Sequence, residues 1–178
     1  WIILLIILSN SKKKVAGNFR KLSEKYNLDC DVSKKSGMKN RPSASGTYRS
    51  RDVKIETVVT DSIVSKKPVP HTILKVVCPN SLGFSFNVVR KNKQNIAVLG
   101  AGSTSVGDAG FDGKFLIQTS DAVRMKKIFD FNTRFKLDQV HALGFTGLLS
   151  LKGNDLFYLE KGVLSSDDSL MRFELVLH

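Results

Sequence analysis

Hydrophobic residues repeat at two different periods along this chain, and the period indicates which segments are strands and which are helices. In Gly46–Thr60 the residues Val53, Ile55 and Thr57 alternate with charged positions. Side chains of a strand point alternately to its two faces, so this stretch predicts a strand with one buried face and one wet face. A polar turn at Ser50–Asp52 precedes this strand. Gly46–Thr60 as a whole therefore predicts a β-hairpin on which an antiparallel sheet is built.

Other segments show the same alternation. The clearest case places Leu82, Phe84, Phe86 and Val88 on one face of a strand. A Gly-Asn-Asp turn at 153–155 predicts a second hairpin. The further strands that we expect are 71–77, 82–90, 96–99, 114–118, 145–152 and 156–160.

Helical spacing occurs in three places. Between residues 13 and 28, the apolar residues Val15, Phe19, Leu22 and Tyr26 lie four, three and four positions apart, which predicts an amphipathic helix. Two further helical segments run from a cap at 119–120 to Gly144, with a break at 132–133. A last helix begins at a cap within 165–168, and the sequence ends inside it.

These elements predict an α+β fold, in which a largely antiparallel sheet of about six to eight strands carries about two to four helices in two layers. The 178 residues are enough for one ordinary domain with a core. We divide the chain into an apolar membrane-proximal or transmembrane end (1–10), a basic amphipathic helix with a linker (11–45) and the α+β domain (46–178).

The first residues, WIILLIIL, are continuously apolar, and SNSKKK follows them. So short a run cannot cross a bilayer, which needs about 20 residues. We weigh three interpretations, namely the end of a transmembrane helix, a buried strand and the tail of a signal peptide. The signal peptide is disfavoured, because no small-residue cleavage site follows the apolar run. The lysine cluster favours the transmembrane helix, and the positive-inside rule then predicts a membrane-anchored protein with its domain in the cytoplasm.

The net charge of +12 is concentrated near the start of the chain, because 12–54 contains 13 Lys or Arg against 4 Asp or Glu. A basic amphipathic helix either covers a sheet or lies against anionic lipid, and we favour packing on the sheet with lipid contact as a secondary role. Two arginines beside the hairpin turn are a candidate anion clamp, but we favour the alternative that they belong to a solvated basic turn. The candidate anion or lipid contacts are Lys12, Lys13, Lys14, Arg20, Lys21, Arg49 and Arg51.

The glycine-rich segment GAGSTSVGDAGFDG (100–113) resembles a phosphate-binding loop in composition only. A Walker loop needs Gly-Lys-Ser/Thr before a helix, but Phe115 follows the Gly-Lys pair here. A dinucleotide fingerprint needs a glycine where Ser105 stands. We predict a mobile surface loop with Phe111 docked on the core, and keep hydrolase or transferase chemistry at Asp112 as a lesser alternative.

Sequence motifs for catalysis, cofactors and metals are absent. The three histidines are scattered, and Asp108 and Asp112 lack the spacing of a calcium loop. Cys30 and Cys78 form no CxxC pair, so we expect two free thiols, with a single disulfide as the alternative. We therefore predict a non-enzymatic protein with no catalytic residue, no cofactor and no metal site.

Two short motifs resemble those of bacterial membrane-anchored α+β domains of the domain-of-unknown-function type. Those domains carry a hairpin G-x-Y/F-R-G-R-x-V and a later F-D-x-x-F block that leads from a strand into a helix. The hairpin is matched by Gly46, Tyr48, Arg49, Arg51 and Val53, with Ser50 in place of Gly. The block is matched by Phe111, Asp112, Phe115, Ser120 and Asp121. The resemblance covers 13–178 and implies a two-layer fold and a membrane tether, but no activity.

The sequence thus predicts a membrane-tethered domain that scaffolds or binds a partner protein on the cytoplasmic side. The alternative is binding of anionic lipid or nucleic acid through the basic region 12–54. Nucleic acid is not favoured, because the region lacks interleaved exposed aromatic residues for base stacking.

Overall fold

The computed structural model describes residues 2–32, 41–61 and 68–178, and an antiparallel sheet of eight strands organises them. The strands are β1 (Asp29–Asp31), β2 (Ser43–Tyr48), β3 (Arg51–Asp61), β4 (Pro68–Val77), β5 (Phe86–Arg90), β6 (Phe115–Thr119), β7 (Leu148–Lys152) and β8 (Asp155–Lys161). The α-helices are α1 (Ile2–Tyr26), α2 (Lys93–Leu99), α3 (Ala109–Asp112), α4 (Ala122–Ile128), α5 (Phe131–Ala142) and α6 (Asp167–Leu177), and a 3₁₀ turn spans Gly100–Gly102. The strand order is β1-β2-β3-β4-β8-β7-β5-β6, which confirms the predicted α+β class.

One row of paired residues crosses the whole sheet and forms the floor of the core. Seven of its eight members are buried, and Cys30 at the β1 edge is half-buried. Helices α1, α4, α5 and α6 cover this face, and their residues Phe19, Met125 and Phe173 are at most 1% exposed. The row consists of Cys30, Ala44, Ile55, Leu74, Tyr158, Leu149, Val88 and Ile117.

The first hairpin is confirmed, but its turn begins one residue earlier than predicted and is one residue shorter. Tyr48 pairs with Arg51, so Arg49 and Ser50 are the two turn residues, with φ of +50° and +59°. Such two-residue turns match the twist of the flanking strands and favour glycine. Ser50 therefore adopts a left-handed conformation that glycine occupies more readily.

Two of the predicted strands are wrong in part or in whole, and in both cases an asparagine side chain bonds to the nearby backbone. Residues 93–99 form α2 instead of a strand at 96–99, because the Asn92 side chain accepts a hydrogen bond of 2.7 Å from the Asn95 N–H and starts a helix. The predicted strand 82–90 begins only at Phe86. Before it, the Asn80 side chain bonds both backbone groups of Phe84 and holds a turn, which leaves Leu82 73% exposed.

Helix α1 starts in the apolar run and continues through the lysine cluster. Its residues Val15, Phe19, Leu22 and Tyr26 are buried, as the amphipathic pattern predicted. The alternative of a strand at the start is wrong, because that run is helical. Across the described residues, none of the helices has the length and apolarity that crossing a bilayer requires. This finding contradicts the predicted transmembrane helix, and with it the membrane anchor and the cytoplasmic placement derived from it.

Two predicted loops are partly replaced by strands. The stretch 29–45 contains β1, which pairs with the start of β2, while 33–40 lie outside the described residues. The loop predicted at 60–70 is shortened from both sides by β3 and β4, and 62–67 lie outside the described residues. Cys30 and Cys78 are free thiols.

Gly147 precedes β7 at a point where the backbone is pressed against β8. A Cβ atom there would lie 2.1 Å from the Leu159 carbonyl oxygen, which is backbone of a paired strand and cannot swing aside. We expect Gly147→Ala to lower the free energy of unfolding by about 3 kcal/mol in urea denaturation. The control is Gly17→Ala in α1, where nothing lies within 4 Å of the new methyl group. It should raise stability by about 0.5–1 kcal/mol, and equal unfolding midpoints for the two variants would refute the close approach.

Candidate functional site

An apolar groove opens between the first half of α5 and the end of α6. It is open to solvent on one side, has a volume of about 290 Å³ and reaches down to the sheet. Its floor consists of side chains from β5, β7 and β8, and its walls come from the two helices. The floor residues are Phe86, Leu149 and Leu156, and the walls include Leu137, Leu175 and Val176.

The chain between α4 and α5 sets the position of the groove. Phe129 is 1% exposed and packs edge-to-face on Phe86, with 5.7 Å between the ring centroids. The next residue, Asp130, accepts a hydrogen bond of 2.8 Å from the Thr133 N–H and starts α5. This backbone hydrogen bond is the main reason why the pKa of Asp130 is lowered. The buried ring and the cap together fix one wall of the groove.

The rim of the groove is polar. Lys136 and Asn132 lie on the α5 side, and His178 lies on the α6 side. Within the described part of the chain, no carboxylate forms an ion pair with Lys136. The rim carboxylate of Asp130 is already engaged by the backbone of α5. The rim therefore offers an unpaired cation beside an apolar space.

A second depression, of about 430 Å³, lies on the other side of the last turn of α6. It shares Leu175 and His178 with the groove. Its apolar lining includes Leu143 and Met171, and the ion pair between Lys25 and Glu174, 2.8 Å long, lies along it. The hydrogen bond to Glu174 raises the pKa of Lys25. Leu175 is thus the side chain that both depressions have in common on this helix.

A buried ionic cluster lies at the opposite end of the α5–α6 pair. The guanidinium of Arg172 contacts both carboxylate oxygens of Glu160, at 2.5 and 2.9 Å, and also donates to the Leu143 carbonyl at the end of α5. The Tyr158 hydroxyl donates to the same carboxylate. Side chains of Glu160 and Arg172 are only 6% and 13% exposed. The cluster therefore ties β8, α5 and α6 together.

The electrostatics of this cluster favour a structural role. Burial raises the pKa of Tyr158 far above its ordinary value, so its hydroxyl stays protonated and donates. Burial alone would lower the pKa of Arg172, but hydrogen bonds and the charge of Glu160 outweigh it and raise that pKa. A cavity of about 400 Å³ lies beside the cluster, yet every polar side-chain atom of the three residues already has a partner.

The glycine-rich segment contains the 3₁₀ turn and α3, and Phe111 is buried as predicted. The Asp112 carboxylate accepts hydrogen bonds from the Ser105 hydroxyl at 2.6 Å and from the Val106 N–H at 3.1 Å. Asp108 caps α3 and pairs with Arg134 at 3.1 Å. The backbone hydrogen bond from Phe111 lowers the pKa of Asp108. The hydrogen bonds of Asp112 and the ion pair of Asp108 thus stabilise the backbone conformation of this segment.

The residues predicted to bind anions lie in two separate places. Five of them, Lys12, Lys13, Lys14, Arg20 and Lys21, are exposed on α1.

Arg49 and Arg51 are exposed beside the β2–β3 turn. The Tyr48 ring of that hairpin lies 5.0 Å from Tyr26 at the far end of α1, about 20 Å along the helix from the lysine cluster. Arg49 also donates to the His178 carbonyl at 2.7 Å. Lys12, Lys13 and Lys14 therefore lie too far from Arg49 and Arg51 to act with them on one small anion.

Sequence reasoning missed the groove because its residues come from distant segments. One signal was present: α6 carries Leu175 and Val176 in addition to the stripe Leu170, Phe173 and Leu177. Apolar residues in excess of one stripe indicate a second apolar contact of the helix. In the described ranges, no group of three or more His, Cys, Asp or Glu side chains is placed to hold a metal ion.

Comparison with known proteins adds a likeness in fold. Neither the protein-family models nor the curated proteins match this chain. Among solved structures, the crystal structure of the mycobacterial trehalose monomycolate transport factor A, TtfA, is similar, with a TM-score of 0.50 and 8% sequence identity. The match covers 91% of this chain and 94% of that chain. At this identity the similarity shows a shared fold alone.

The buried cluster leads to a stability prediction. We expect Glu160→Gln to lower the free energy of unfolding by about 3 kcal/mol, because Arg172 would keep a buried charge without its counter-ion. Glu56→Gln is the matched control, since the Lys54–Glu56 pair is 50% and 38% exposed. Loss of such a surface pair costs at most about 1 kcal/mol. Urea denaturation measures both variants, and a smaller loss for Glu160→Gln than for Glu56→Gln would contradict the structural role.

Proposed function

We propose that this protein is a non-enzymatic accessory domain that binds an anionic lipid with a single acyl chain. The chain occupies the apolar groove between α5 and α6, and the head group lies at Lys136. The observation that carries the proposal is the apolar lining of this groove combined with the unpaired cation on its rim.

The size of the groove supports an acyl chain as the occupant. Ligand cavities commonly measure about 300–1,000 Å³, so a space of about 290 Å³ fits one slender ligand and not a peptide helix. Leucine, valine and phenylalanine side chains line it, which suits hydrocarbon. Each methylene removed from water contributes about 0.8 kcal/mol, so a chain of modest length is enough for binding.

The charge on the rim supports an anionic head group. Lys136 is half-exposed and has no ion-pair partner among the described residues, so a carboxylate or phosphate gains a contact there without breaking an existing pair. The buried tyrosine–glutamate–arginine cluster supports a role other than catalysis, because its groups are already engaged with one another.

The fold neighbour agrees with this proposal. The mycobacterial protein is named for the transport of trehalose monomycolate, a lipid. Its similarity to this chain extends over nearly the whole of both chains, at the level of fold. An accessory role in handling a lipid is the function that the groove and this neighbour jointly favour.

Blocking the groove tests the proposal. Val176→Trp fills the space beside Leu156 and should weaken dodecanoate binding at least about tenfold in isothermal titration calorimetry, because the chain loses its apolar contacts. Val98→Trp is the matched control, since Val98 is 75% exposed on α2 and lies outside the groove. Undiminished binding by a folded Val176→Trp protein, or no binding by the unaltered protein, would exclude this function.

Charge reversal at the rim tests the head-group contact. Lys136→Glu should weaken dodecanoate binding about tenfold and leave binding of uncharged dodecanol nearly unchanged. Lys126→Glu is the control, because Lys126 is exposed on α4 and does not line the groove. Equal losses for the acid and the alcohol would show that Lys136 does not contact the head group.

A second candidate function is the binding of anionic lipid head groups by the exposed face of α1. Lys13 and Arg20 are seven residues apart, as are Lys14 and Lys21, so each pair lies on one stripe two turns apart. All four side chains are exposed. This arrangement supports the cationic contacts expected from the sequence, without Arg49 and Arg51.

This second candidate makes a salt-dependent prediction. Binding to phosphatidylglycerol vesicles should fall steeply between about 0.1 M and 1 M salt, over which the screening length shortens from about 10 to 3 Å. The double variant Lys13→Glu, Arg20→Glu should abolish it, whereas the control Lys152→Glu, Lys161→Glu on the β7–β8 hairpin should retain it. Sedimentation with vesicles measures the bound fraction, and salt-independent binding would exclude the candidate.

A further inference from the structure

The groove and the second depression meet at one side chain. Leu175 lines both cavities, which measure about 290 and 430 Å³ and lie on either side of the last turn of α6. His178 also borders both, but it is exposed, whereas Leu175 is half-buried. Leu175 is therefore the apolar side chain that the two spaces share, and we call it the partition between them.

The second depression suits a continuing hydrocarbon chain. Its lining includes Ala142, Leu143 and Met171. Its charged residues, Lys25 and Glu174, neutralise each other in an ion pair of 2.8 Å. A chain that passed Leu175 would therefore meet mainly apolar side chains and would leave no charge without its partner.

Leu175 packs against the core but is only half-buried. The main anchoring of α6 on the sheet comes from Leu170, Phe173 and Leu177, which are 8%, 1% and 8% exposed. Arg172 adds the buried ion pair with Glu160. The side chain at 175 can therefore be shortened while the helix keeps its main contacts.

We propose that Leu175 sets the maximum length of acyl chain that the groove accepts, an inference that rests on the proposed function. A short chain ends in the first cavity against this leucine. A longer chain has to displace it before reaching the second depression, so its extra methylenes remain in water and add no affinity. The ligand class is accordingly a single-chain anionic lipid of short to medium length.

The test compares octanoate, dodecanoate and hexadecanoate, each below its micellar concentration, by isothermal titration calorimetry. Affinity of the unaltered protein should rise and then level off within this series. In Leu175→Ala it should keep rising, by roughly tenfold for every two added methylenes that become buried. Leu175→Phe, with a larger partition, should level off at a shorter chain and provides an independent second variant.

Met171→Ala is the matched control. Met171 lines only the second depression and is 48% exposed, so shortening it should leave the levelling-off point unchanged. If the unaltered protein binds none of the acids, the proposed function fails and the inference falls with it. If it binds them but Leu175→Ala and Leu175→Phe level off at the same chain length as the unaltered protein, the inference alone is overturned.

Discussion

The two-point contact between Arg172 and Glu160 joins α6 to β8 in the buried layer between helices and sheet. A buried ion pair is favourable only when its remaining donors and acceptors are satisfied, since removing two charges from water is costly. Here Tyr158 completes the coordination of the carboxylate and the Leu143 carbonyl takes the remaining arm of the guanidinium. One arginine therefore connects β8, a central strand of the sheet, to the end of α5 and to α6. Apolar burial brings these elements together, and this contact adds directional hydrogen bonds between them.

This connection also accounts for the place of the groove. Arg172 joins α6 to the carboxyl end of α5, whereas the groove lies between the amino-terminal half of α5 and the end of α6. The helices are thus fixed to each other at one end, and an apolar space remains at the other. On that open end, Lys136 contributes an unpaired positive charge, and Leu175 borders both the groove and the second depression, which lies towards the carboxyl end of α5. The ligand-binding proposal follows from this unequal packing, because a layer closed at both ends would leave no room for a chain.

Many of the strands and helices could be predicted from the spacing of apolar residues, because that spacing indicates which face of a strand or helix is buried. Val15, Phe19, Leu22 and Tyr26 are examples, and so is the last helix. Predictions failed where short-range capping overrode propensity, as at Asn92, which starts α2 among residues that favour strands. The transmembrane helix was wrong because the apolar run at the start continues into a strongly charged helix. The groove could not be predicted, because Phe86, Leu137 and Val176 are distant in sequence and become neighbours only through the strand order.

The strand order has a consequence for biosynthesis. In the finished sheet, β7 and β8 lie between the block β1–β4 and the pair β5–β6, and among the residues that the structure describes no ladder joins those two parts directly. While the ribosome is still making the β7–β8 hairpin, β4 and β5 each expose an unpaired edge that neighbouring chains can join. Contacts between distant segments also slow folding. Until the β7–β8 hairpin inserts, the nascent chain therefore carries two incomplete sheets whose unpaired edges can aggregate. Protection by chaperones matters most in that interval.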